Sequence, residues 1–91
     1  MSSKEFVSII IPCKLVDEYT KECIKHCKQL EYSNFEILLL PDSFSDYIDG
    51  VKIINTGSVP PGVKRNIGVK NSNGEICAFI DNDAYPRRDW L

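Results

Sequence analysis

Residues 76–83 read ICAFIDND: five apolar side chains in a row, then two carboxylates, Asp81 and Asp83, one residue apart. An unbroken apolar run of this length suits a strand covered on both faces, as in a parallel sheet. In an extended segment residues i and i+2 point to the same side, so the two acids are expected to converge. Carboxylates held that close repel unless a shared proton or a cation relieves them. A hard divalent ion, Mg2+ or Mn2+, gives that relief and bridges to phosphate oxygens. The tripeptide is also good turn sequence, since Asp and Asn bond their own backbone. On these three residues alone the turn is the better reading.

Outward from this stretch, three more segments read as strands: the largely apolar FVSIII at 6–11 and FEILLL at 35–40, and VKIINT at 51–56. The fourth strand spans 75–80. A helix is expected at about 17–31, capped by Asp17. Tyr19, Cys23, Cys27 and Leu30 would form its apolar stripe, with Lys21, Glu22, Lys25 and Lys28 outward. Pro60 and Pro61 suit the approach to a second helix, or its first turn. That helix would occupy 63–73, with Val63, Ile67 and Val69 or Lys70 on one side. Gly68 would interrupt it and Asn73-Gly74 would stop it. Residues 43–50, SFSDYIDG, read as a loop. Alternation of this kind predicts an α/β fold, a mainly parallel four-stranded sheet with crossover helices. Ligands in such sheets bind at the carboxyl ends of the strands. Pro12, Cys13, Lys14, Asp42, Asp81 and Asp83 all fall at those ends.

The chain has 91 residues, 11 basic and 13 acidic, for a net charge of −2. That fits one small domain and supplies no basic face for nucleic acid. No apolar run approaches the roughly 18 residues a membrane span needs. The N-terminal apolar stretch is short and lacks the cleavage pattern of a signal peptide. The four cysteines fall in strands and on one helix face. They read as reduced thiols behaving as small hydrophobes, with a cytoplasmic location expected.

Five segments, in order, resemble the nucleotide-sugar-binding portion of the family 2 glycosyltransferases, which have the GT-A fold. VSIIIP resembles the family's first strand, and FEILLLPDS its second, which ends in an acid. GVKRNIG is similar to its Ala-Arg-Asn-x-Gly helix, with Lys64 where alanine is common. NGEICAFIDND is similar to its Asp-x-Asp strand, and AYPRRDWL to the Ala-x-Pro-x-x-x-Trp-Leu continuation of that strand. The resemblance implies the N-terminal half of a GT-A fold: a Rossmann-like three-layer α/β arrangement. Residues 1–91 would be one truncated domain binding a nucleotide-diphospho-sugar, a UDP-sugar first, with Mn2+ or Mg2+. The implied activity is metal-dependent transfer of a sugar to an acceptor hydroxyl, as in polysaccharide biosynthesis. By the same resemblance Asp83 would ligate the metal, and Asp81 the metal or the ribose. Asp42 would bond the base, Arg65 would lie near base and phosphates, and Pro12 would line the base pocket by its backbone. Lys14 stands near that pocket. The family's second strand commonly ends Asp-Asp-Gly-Ser, whereas here Pro41-Asp42-Ser43-Phe44 lacks one acid and the glycine. The family's catalytic base falls after the Asp-x-Asp strand. It is expected beyond Leu91, since Asp89 does not match its place. The 91 residues alone are therefore expected to transfer weakly or not at all. The fourth strand would be an open edge, where two copies could pair as a homodimer.

Other residues carry weaker signals. Cys23, His26 and Cys27 sit at i, i+3 and i+4, but the two thiols belong to the apolar stripe and no fourth ligand stands at zinc-like spacing. His26, flanked by lysines, reads as a solvated helix residue. Cys13 reads as a passive thiol, with no histidine base near in sequence. Arg87, Arg88 and Trp90 read as an anion patch or, equally well, a solvated tail with one packed ring. The glycines form no phosphate-cradling loop after the first strand. A dehalogenase-like phosphatase also uses strand-Asp-x-Asp, but Tyr85 stands where it needs Thr or Val. The alternative from another class is a non-catalytic α/β nucleotide-binding or interaction module.

Overall fold

The computed structural model describes residues 5–43 and 45–91. The readings made at residues 1–4, and at Phe44 within the expected loop, lie outside them. Four strands, β1 (Val7–Pro12), β2 (Phe35–Leu40), β3 (Val51–Ile53) and β4 (Ile76–Phe79), alternate with two helices, α1 (Glu18–Lys28) and α2 (Pro61–Asn71). All pairings are parallel, in the order β3-β2-β1-β4. Ile9 stands between Ile37 and Ala78 in register.

The strands β1 and β2 are apolar but for Ser8 and Glu36 because a helix covers each face. Ile9, Ile11, Ile37 and Leu39 pack on one side with Cys23, Ile24 and Cys27 of α1. Ile10, Leu38 and Leu40 pack on the other with Ile67 of α2. The alternation of odd and even positions is the two-residue period of a strand. The result is the expected three-layer α/β sandwich.

Several details differ from the sequence reading. The buried face of α1 is Thr20, Cys23, Ile24 and Cys27. Tyr19 is exposed, and Thr20 takes its place on the core-facing arc. On α2 the buried residues are Lys64 and Gly68, while Val63 and Val69 are exposed. Gly68 does not interrupt this helix. It lets the helix lie close to the sheet, since a Cβ there would come 2.7 Å from Cγ2 of Ile10. The strand β3 stops at Ile53, yet the amides of Ile54 and Thr56 still bond Leu39 O and Pro41 O, at 2.8 and 3.0 Å.

At the amino ends of the strands, buried Ser8 donates to Glu36 at 2.6 Å and accepts from the Gly74 amide at 2.8 Å. The Asn73 amide donates to the same Glu36 carboxylate at 2.7 Å. These bonds pin the turn before β4 to β1 and β2. Partial burial opposes ionisation of Glu36, but bonds from the Asn73 amide, the Ser8 hydroxyl and the Asn73 side chain hold its carboxyl below the ordinary value.

Candidate active site

The chain runs outward from β1 to β2 to β3, then returns through α2 to β4 on the far side of β1. The strand order therefore reverses between β1 and β4. At such a reversal the connections leave the carboxyl ends in opposite directions and open a crevice. A cleft of about 370 Å³ lies there.

Its walls come from four segments. Pro12, Cys13 and Lys14 follow β1, and Asp42 follows β2. Ser58, Val59 and Pro61 lead into α2, which adds Lys64 and Arg65 from its first turns. Asp81, Asn82 and Asp83 follow β4. The structure thus brings together all five residues the sequence singled out: Pro12, Asp42, Arg65, Asp81 and Asp83. Lys14 joins them.

The Asp-Asn-Asp segment is a turn and not the extended strand end expected. The strand β4 ends at Phe79, and the Ala84 amide closes a turn onto Asp81 O at 3.0 Å. Three polar residues in succession favour their own local bonds once the β4 ladder ends. Both acids are exposed and line the cleft. Asp81 lies 3.9 Å from the Arg65 guanidinium, with both side chains well exposed, so the pair is weak.

The turn is anchored from below. Asn82 donates its side-chain amide to Thr20 Oγ1 at 2.9 Å. Thr20 is fully buried in the first turn of α1. Its amide and hydroxyl donate to the capping Asp17 carboxylate, at 2.9 and 3.0 Å. Those bonds, the Thr20 amide first, hold the Asp17 carboxyl below its ordinary value. Cys23 adds a 3.6 Å contact from its thiol to Asp81 O.

Lys64 is the residue the sequence reading missed as part of the site. Its ammonium, only 4% exposed, sits 2.7 Å from Asp42 Oδ1. It also donates to Thr56 Oγ1 at 2.6 Å and Leu40 O at 3.1 Å. A lysine on a helix ordinarily counts as solvent-facing. The available signal was its place four residues before Gly68, on the face that must press against the sheet.

Cys13 lies in the cleft wall, and burial pushes its thiol up to about 11 despite the nearby Lys64. It stays protonated at neutral pH, in line with a passive thiol. Cys23 and Cys27 are fully buried, and all four cysteines are free. The bond to Cys23, with burial, pushes the Cys27 thiol far up. His26 does not join them. It is half-buried and stacks on Tyr85 with ring centroids 4.7 Å apart, so it is not simply solvated. Among the described residues no group of three His, Cys, Asp or Glu side chains is placed to hold a metal by itself. Arg87 and Trp90 line a different, shallow depression with Phe79 and Tyr85. The Arg88 carbonyl accepts from the Glu31 amide at 2.9 Å, so the segment after Asp83 runs back along α1.

Among known proteins, residues 8–91 match the model for glycosyl transferase family 2. An uncharacterized glycosyltransferase of Rickettsia conorii is 31% identical over 93% of this chain, which spans 16% of that protein. S. aureus TarS 1–349, solved in complex with UDP-GlcNAc, superposes with a TM-score of 0.75 at 25% identity over 91% of this chain and 28% of its own. The mannosyltransferase PcManGT of Pyrobaculum calidifontis, solved with GDP-Man and Mn2+, shares the fold at a TM-score of 0.81 and 17% identity, over 96% of this chain and 30% of its own. The chain is thus about a sixth to a third as long as these relatives. The strand order, the crevice at its reversal and the match over residues 8–91 agree: the chain belongs to glycosyl transferase family 2.

Proposed function

We propose that this chain binds a nucleotide-diphospho-sugar, a UDP-sugar first, together with Mn2+ or Mg2+, as the donor step of sugar transfer to an acceptor hydroxyl. One observation carries the reading: residues from four separate segments, Pro12, Asp42, Arg65, Asp81 and Asp83, line one cleft. In this reading Pro12 borders the base and Asp42 accepts from its N–H edge. Arg65 offers a cation to the diphosphate, and Asp81 and Asp83 stand at the sugar-phosphate end.

The donor set fits a hard dication. Asp81 and Asp83 are exposed carboxylates on a turn fixed through Asn82, and Asp42 is already engaged by Lys64. Two protein carboxylates, completed by ligand and water oxygens, are a common arrangement for Mg2+ at phosphates. A bound ion supplies charge neutralisation for the departing diphosphate. The protein's own part is orientation. Asn82 holds the acidic turn, Lys64 holds Asp42, and Arg65 faces Asp81 loosely enough to exchange it for a phosphate.

Transfer by this chain alone is proposed to be weak. Each acid in the cleft already has a donor-side role, and Asp89 lies elsewhere, paired with Arg87 at 3.4 Å. Robust sugar transfer by the isolated chain would overturn that part. For donor binding, the test is thermal unfolding with Mn2+ and UDP. A ligand that binds only the native state raises the midpoint by mass action. A rise that needs both components is expected. No rise with any nucleoside diphosphate would favour a non-catalytic module.

A further inference from the structure

We propose that Lys64 is the positioning residue through which the cleft selects a nucleobase: it holds Asp42 by one carboxylate oxygen and leaves the other for an N–H of the base. This rests on the nucleotide-binding reading above.

An ammonium group has three N–H donors. Those of Lys64 have three acceptors, Asp42 Oδ1, Thr56 Oγ1 and Leu40 O, at 2.7, 2.6 and 3.1 Å. None is left over for a phosphate, and the side chain is almost wholly enclosed. Lys64 therefore acts through its partners and not on a ligand. Asp42 is different. Its side chain remains 24% exposed in the cleft wall, and among the described residues only Oδ1 is engaged. Oδ2 is the free acceptor.

The pairing solves an electrostatic conflict. A cleft that takes a diphosphate should not present a bare carboxylate, yet an N–H edge is best read by one. The ammonium cancels the charge of Asp42 without occupying its second oxygen. It also fixes the carboxylate's direction, because its three bonds tie α2 to the end of β2 and to the loop after β3. The ligand class selected is a nucleoside diphosphate whose base carries an acidic N–H, as the imide of a pyrimidine does. A ligand lacking a base gains nothing from the arrangement.

The test is calorimetric titration of the chain with UDP and with inorganic pyrophosphate, each with Mn2+, for wild type and Lys64→Met. The wild type should bind UDP more tightly than pyrophosphate. Losing a charge-assisted bond should cut UDP affinity about tenfold or more, with pyrophosphate affinity falling much less, by no more than the uncovered charge of Asp42 costs any diphosphate. In an Asp42→Asn background, Lys64→Met should have no further effect on UDP. Equal weakening of both ligands, or of neither, overturns the proposal and leaves the nucleotide site standing. Failure of the wild type to bind either ligand overturns both readings. Should Lys64→Met not fold, Thr56→Val removes one ammonium acceptor and keeps the charge. A smaller loss confined to UDP is then expected, and an unchanged ratio of the two affinities overturns the proposal.

Discussion

An alanine at position 68 would place its Cβ against a core isoleucine that has no room to move. The Cγ2 of Ile10, 2.7 Å away, belongs to a fully buried side chain. Ordinary helix propensity favours alanine over glycine by about 1 kcal/mol, but overpacking a core costs about 1–3 kcal/mol. The clash wins, so Gly68→Ala should lower the unfolding free energy by about 1 kcal/mol in urea titration. Gly74→Ala should cost more, about 3 kcal/mol, because its Cβ would meet backbone: Ser8 N at 2.6 Å and Phe6 O at 2.8 Å. If Gly68→Ala proved the more damaging, this account of helix-to-sheet approach would be wrong. At this scale the acids were legible, since carboxylates at strand ends advertise themselves. Lys64 was not, because hydropathy patterns count every lysine as solvent-facing and cannot see a buried partner contributed from 22 positions away.

The elements were legible where the apolar runs were long, as in β1 and β2. The strand β4 was located by its run but is not covered on both faces as that run suggests, because it ends the strand order and leaves Ile76 and Phe79 about half exposed. Elements were misread where local chemistry competes with periodicity. Of the stripe expected on α1, Cys23, Cys27 and Leu30 are buried, but Thr20 takes the place expected for Tyr19, because this polar residue is buried as part of the cap that also holds Asn82. Removing that link should leave the sheet intact and loosen the acidic turn. Asn82→Ala is expected to weaken Mn2+-dependent UDP binding about tenfold, measured by calorimetry, with the melting midpoint of the free protein little changed. A large fall in the midpoint would make Asn82 a stability residue instead. The opposite end of the sheet carries a pH signature. The folded Glu36 carboxyl lies below its ordinary value of 4.5, so its contribution to stability is full above that pH. It is lost as pH falls through the lower, folded value. Urea midpoints measured downward from about pH 6 should therefore drop for the wild type, and Glu36→Gln should flatten that part of the profile. Parallel profiles would assign the acid sensitivity to other carboxylates.

For the whole molecule, the sheet order places the cleft. A chain that adds strands outward in one direction and then returns to the other side of the first strand must open a crevice beside that strand. The sequence predicts parallel strands but not their lateral order, because alternation of elements is compatible with several orders. The order also leaves β4 at an edge, with Ile76 and Phe79 about half exposed. We propose that two copies pair along the hydrogen-bonding groups that β4 leaves open among the described residues. Sedimentation velocity should then show association that rises with concentration and is abolished by Phe79→Lys. A monomer at every concentration would exclude it. The central claim is narrower: the turn at 81–83 holds a divalent cation against a nucleoside diphosphate in the cleft of Pro12 and Asp42. The most direct measurement is amide NMR with UDP and a trace of Mn2+, whose paramagnetism broadens nearby signals. Broadening centred on residues 81–83 and reaching 12–14, lost in Asp81→Asn/Asp83→Asn, is the predicted result. Broadening centred elsewhere, or unchanged in that double variant, would contradict the account.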